Sequence, residues 1–142
     1  MKYKSQLAAP LKAYVEWQLA HYHESRRELE QYKLDLIPSA TPKYSLEPGS
    51  GGNSESRPLE DLTLRMASDR YIVETARNIS AIEHVLNRLN STDKKLIDLV
   101  YWKGQYTTTG AGLVVGYSKT TAYSHANEVL IAIAKEMGIL PI

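Results

Sequence analysis

The chain has 142 residues, 43% of them hydrophobic, a formal net charge of +1 and no cysteine. That suits one ordinary domain, or one small domain with an accessory segment, and supplies enough apolar side chains for a core. It excludes disulfides, thiolate metal sites and a cysteine nucleophile, and the near-zero charge argues against coating nucleic acid by charge alone.

Residues 1–37 predict helix. Leu11, Tyr14, Val15, Trp17, Leu19 and Tyr22 recur at three-to-four spacing, Pro10 suits a first turn, and Leu29, Tyr32, Leu36 and Ile37 continue the pattern. The periodicity leaves open whether 10–37 is one helix or two with a bend near His23. Six basic and five acidic residues over 1–37 nearly cancel. Packing on the rest of the chain or on a partner is therefore preferred over DNA contact by Lys2, Lys4, Arg26 and Arg27. The opening MKYKSQLAAP lacks the apolar stretch of a signal peptide, and no run approaches about 18 apolar residues. The expectation is a soluble, cytoplasmic protein without membrane contact.

Residues 38–57 hold three prolines, three glycines and five serines. Such a stretch buries too little to offset ordering entropy and reads as a flexible linker. It separates an N-terminal helical segment, 1–37, from a C-terminal helical domain, 58–142. In that domain Pro58 suits a helix start, and Ser68 or Asp69 can cap a second one. Ile72, Ala76, Ile79, Ile82, Val85, Leu86 and Leu89 form the apolar stripe of a helix over about 69–89. Ser91 or Thr92 then caps a helix carrying Leu96, Ile97, Val100 and Tyr101. No segment alternates as a strand does, so the fold class is all-α.

The stretch GLVVGYSKTTAYSHANEV, residues 112–129, meets the mechanical demands of a helix-turn-helix. Ala111 and Gly112 are small enough for two backbones to cross. Gly116 tolerates positive φ, Tyr117 packs under the turn, and Ser118 caps a final helix that stops at Gly138. Ala122, Ala126, Val129, Leu130 and Ile133 point inward. With Ser118 at the start, Lys119, Thr120, Tyr123, Ser124 and Asn127 form an outward face of hydrogen-bond donors. No acidic residue occurs between Asp98 and Glu128, while Lys103 and Lys119 lie in that window. These six residues, 118, 119, 120, 123, 124 and 127, are the candidate DNA-binding set. A plain helical hairpin with a serine-capped second helix fits the same pattern.

Ten tyrosines against no phenylalanine suggest rings packed at the core rim with their hydroxyls at a wet boundary. His125 occupies a position that is usually aliphatic and reads as a half-buried packing residue. His21 and His23 do not share a helix face, and His84 and His125 lack nearby acidic partners that would suggest a ligand cluster, so no metal site is expected. No glycine-rich phosphate loop precedes a helix-borne lysine, GSGGNS at 49–54 included, and no nucleophile has an evident base. Neither an enzyme nor a cofactor or small-molecule ligand is expected.

From Leu86 to Gly138 the order of elements resembles region four of sigma factors. It is more specifically similar to the RinA and ArpU families of phage late-gene transcriptional regulators. The shared features are Tyr101-Trp102 closing the preceding helix, Ser118, Thr121 and Tyr123 opening the reading helix, and Ala132 to Gly138 ending it. An N-terminal helical segment joined through a linker to a long helix extends the likeness. The chain departs from the pattern at Ala111-Gly112, in its TTTG stretch and at His125. The resemblance implies double-stranded DNA and host RNA polymerase as partners, in the cytoplasm of a bacterial host, and a role in activating late genes. A small terminase subunit and a helical protein-interaction module are the alternatives. The long helical segment preceding the helix-turn-helix favours the regulator. A homodimer would use either the 72–89 stripe or the N-terminal helix, although closing a single core is preferred for 72–89.

Overall fold

The computed structural model describes residues 7–38 and 56–141. Among them are seven α-helices and no strand: α1 (Ala9–Ala20), α2 (Tyr22–Leu36), α3 (Ser56–Ser68), α4 (Arg70–Leu86), α5 (Ser91–Ile97), α6 (Thr108–Val115) and α7 (Lys119–Met137). A π-helical turn, Asp98–Trp102, continues α5. The protein is all-α, and no described helix is long and apolar enough to cross a membrane. Lys2, Lys4 and nearly all of the expected linker lie outside the described residues. The linker's last two positions belong to α3, which starts at Ser56, ahead of Pro58. Proline is tolerated there because the first-turn N–H groups have no intrahelical partner.

The chain divides into two compact units, residues 1–23 with 77–142 and residues 24–76. These divisions fall within α2 and α4, whereas the composition marked the ends of the linker. In the smaller unit Leu29 and Ile72 are buried. Asp69, not Ser68, caps α4, its Oδ1 accepting the Ile72 N–H at 3.1 Å. Its Oδ2 accepts the Tyr32 hydroxyl at 2.6 Å, and the Tyr32 ring meets Tyr71 edge-on at 4.6 Å. That hydrogen bond holds the Asp69 carboxyl below the usual carboxylate range and raises the Tyr32 hydroxyl above its ordinary value.

In the larger unit the apolar face of α1 and the second half of α4 bury against α7. Val15, Leu19, Ile82, Val85, Leu130 and Ile133 are at most 2% exposed in one cluster. The N-terminal helix therefore forms part of the same core as the C-terminal helices. The two faces considered for dimerisation are largely used within the chain.

Residues 10–37 form two helices, with the break at His21 and not at His23. A break exposes carbonyls at the end of α1, and these need donors. The His21 ring lies 2.9 Å from the Trp17 carbonyl, and the Trp102 indole donates to the Leu19 carbonyl at 2.9 Å. Trp102 reaches it from the π-turn, which is closed by the Lys103 N–H donating to the Asp98 carbonyl at 2.8 Å. The same turn places Tyr101 so that its hydroxyl donates to Glu16 Oε2 at 2.8 Å. Asn90, one position before the expected caps, starts α5 by accepting the Asp93 N–H at 2.8 Å.

Replacing Trp102 by Phe keeps an aromatic ring but removes the indole N–H that donates to the Leu19 carbonyl. The unfolding free energy from urea titration should fall by about 1–3 kcal/mol. An unchanged value would mean that the indole bond does not hold the end of α1.

Candidate nucleic-acid interface

Helices α6 and α7 form the helix-turn-helix that the sequence predicted. Thr107 caps α6 by accepting the Gly110 N–H at 3.0 Å. The turn is a Schellman motif: Gly116 adopts φ 92°, Gly116 N–H donates to Leu113 at 3.3 Å, and Tyr117 N–H donates to Gly112 at 2.7 Å. Ser118 starts α7 by accepting the Thr121 N–H at 3.2 Å. Gly112 and Ala122 face each other so closely that a Cβ on Gly112 would stand 2.6 Å from the Ala122 Cβ. Ala111, Ala122 and Ala126 pack with Leu96 and Leu99 in a second buried cluster, with Val115 and Tyr117 against it.

α7 and the turn before it are tied to α5 by a carboxylate that local sequence does not distinguish. Asp93, on the first turn of α5, is 9% exposed. Its Oδ1 accepts the Tyr117 hydroxyl at 2.7 Å and lies 2.9 Å from Nδ1 of His125. The Tyr117 and His125 rings are 4.7 Å apart. One oxygen thus joins α5, the turn and α7. His125 is half-buried, as expected, but it has an acidic partner. So does His84, whose Nδ1 lies 2.9 Å from Glu136 Oε1. The expectation that both lacked one fails because their partners are 32 and 52 residues away in sequence. Among the described residues no group of three or more His, Asp or Glu could hold a metal ion.

The candidate residues fall into three settings. Lys119, Thr120 and Tyr123 are exposed on the first two turns of α7. Ser118 is exposed, but its hydroxyl serves the cap and also contacts the Thr121 hydroxyl at 3.0 Å; its contribution to a ligand is therefore mainly positional. Ser124 is exposed and Asn127 half-buried, and both line, with Tyr123, a cleft of about 470 Å³. Lys12 and Glu16 of α1, Tyr101 and Thr108 line the same cleft. The candidate face is therefore open at its start and flanked by α1 further along, an arrangement that local periodicity did not reveal.

With no acid between Asp98 and Glu128 and Asp93 turned inward onto two donors, α6 and the part of α7 up to Asn127 carry no carboxylate; the exposed Glu128, one turn beyond Ser124, is the first. Compared with known protein families, curated proteins and solved structures, the chain matches none.

The hydrogen bond to Asp93, then burial, pushes the Tyr117 hydroxyl up from 10.0 to about 12. A raised folded-state value stabilises the fold fully below the unfolded value and is lost as pH rises through the folded one. Stability should therefore fall between pH 10 and about 12, and Tyr117→Phe should flatten that part of the profile. Parallel profiles for the two proteins, measured by urea unfolding, would show that the Asp93 bond does not govern Tyr117.

Proposed function

We propose that the protein is a sequence-specific DNA-binding regulator in which α7 enters the major groove of double-stranded DNA. The observation that carries this reading is the presentation of α7: a glycine-closed turn, a tightly packed inner face and an exposed outer face that is free of acids from Ser118 to Asn127. Lysine can donate to guanine or phosphate, the hydroxyls to either bases or phosphates, and an asparagine amide suits adenine. Lys119, Thr120, Tyr123, Ser124 and Asn127 are the reading set, and Ser118 places the first turn.

The resemblance to RinA- and ArpU-type regulators extends this to activation of phage or prophage late genes beside host RNA polymerase. One short reading helix offers few base contacts, so affinity would come from a second copy or from polymerase. Any self-association would use surfaces other than Val15, Leu19, Ile82 and Val85, which are buried in the chain's own core.

Selection from a pool of random duplexes tests the assignment. The native protein should enrich one motif. Simultaneous replacement of Lys119, Ser124 and Asn127 by Ala should weaken binding to that motif by roughly 100-fold or more, given about 1–3 kcal/mol for each good base contact. Helical content and melting temperature should stay close to native. A triple variant that selects the same motif with native affinity would remove α7 as the reader.

A further inference from the structure

We propose that α1 is the second element of the DNA interface, with Lys12 contacting a backbone phosphate and Glu16 repelling the same strand from the cleft. This rests on α7 being the reading helix. The major groove is about 12 Å wide and a helix with its side chains about 10–12 Å across, so an inserted helix fills the groove. A residue held beside such a helix faces the sugar–phosphate wall and not the base edges. Lys12 and Glu16 have this position: they line the cleft that Tyr123, Ser124 and Asn127 line from α7.

The chemistry divides in the same way. On the α7 side the polar groups are hydroxyls and an amide, suited to bases. Among the described residues lining the cleft, Lys12 is the only cation, and its residue is exposed. Phosphate contacts set register while base contacts specify, so Lys12 supplies a positioning contact that the cleft-lining residues Tyr123, Ser124 and Asn127 do not, at the far side of the face from Lys119.

Glu16 stands one helical turn from Lys12 on the same side of α1. Its Oε2 accepts the Tyr101 hydroxyl at 2.8 Å, and burial, then that bond, raises the hydroxyl above its ordinary value. The Tyr101 hydroxyl is therefore a donor at physiological pH and holds the carboxylate at the cleft wall. Its negative charge opposes a phosphate there. The strand is held toward Lys12 at the rim, and non-specific binding is tempered.

The test uses the full chain on two short duplexes, one carrying the selected motif and one of unrelated sequence, over about 50–200 mM salt. Lys12→Ala should weaken both alike and reduce the slope of log K against log salt by about 0.9, the value for one phosphate contact on B-DNA. Lys12→Arg should restore the slope. Glu16→Gln keeps an acceptor for Tyr101 and should tighten both complexes by roughly two- to fivefold, the range for an exposed charge pair.

If Lys119→Ala weakens binding while Lys12→Ala leaves the slope unchanged, the role of α1 is overturned and that of α7 stands. A Glu16→Gln protein that binds more weakly overturns the repulsive role and points to a base contact by the carboxylate. If the native chain, folded, binds neither duplex, the reading on which the proposal depends is itself overturned.

Discussion

The arrangement of the helix-turn-helix depends on one carboxylate oxygen. Asp93 Oδ1 holds Tyr117 from the turn and His125 from α7, while its own N–H is held by Asn90. A largely buried carboxylate is costly without partners. Here two donors converge on it, and with both in place the turn cannot swing away from α5. The close approach of Gly112 to Ala122 sets how near the two helices lie, and Asp93 sets their register. Neither constraint would be sufficient alone. A small-residue crossing permits sliding, and a hydrogen bond permits separation.

The same device recurs in both units. Tyr22 donates to Glu83 at 2.7 Å, Tyr32 to Asp69, Tyr101 to Glu16 and Tyr117 to Asp93. Each tyrosine packs its ring near the core and directs its hydroxyl to a carboxylate from a distant segment. A phenylalanine in any of these places would fill the space but take one hydroxyl donor away from the acid. The unusual aromatic composition is thus a structural feature: tyrosine hydroxyls tie helices together at the edge of the core. Two of these ties, through Tyr101 and Tyr117, border the candidate interface, one holding α1 and the other the start of α7.

What was legible in the sequence was local. Gly116 and Gly138 both adopt positive φ, as helix-stopping glycines should. Ser118 caps α7, and Ala122, Ala126, Val129, Leu130 and Ile133 are buried. These features announce themselves within one or two helical turns. Asn90, Ser91 and Thr92 are all good caps, so only tertiary geometry decided among them. The break at His21 carries neither glycine nor proline, and its stabilising donor, Trp102, lies 83 residues from the Leu19 carbonyl that it serves. Asp93 resembles any acid in a first turn until its partners arrive from 24 and 32 residues downstream. The candidate site was half legible for the same reason: periodicity identified the outer face of α7, but only packing could bring Lys12 and Glu16 to its flank.

The outer face of α7 is proposed to read DNA. The most direct measurement is to incubate the purified full chain with sheared genomic DNA from its source at near-physiological salt and sequence the fragments retained. The account predicts one or a few sharply enriched sites upstream of a block of genes. Enrichment at a packaging-gene boundary would contradict the regulatory reading while keeping DNA recognition. Uniform recovery of the genome by folded protein would contradict sequence-specific reading by α7.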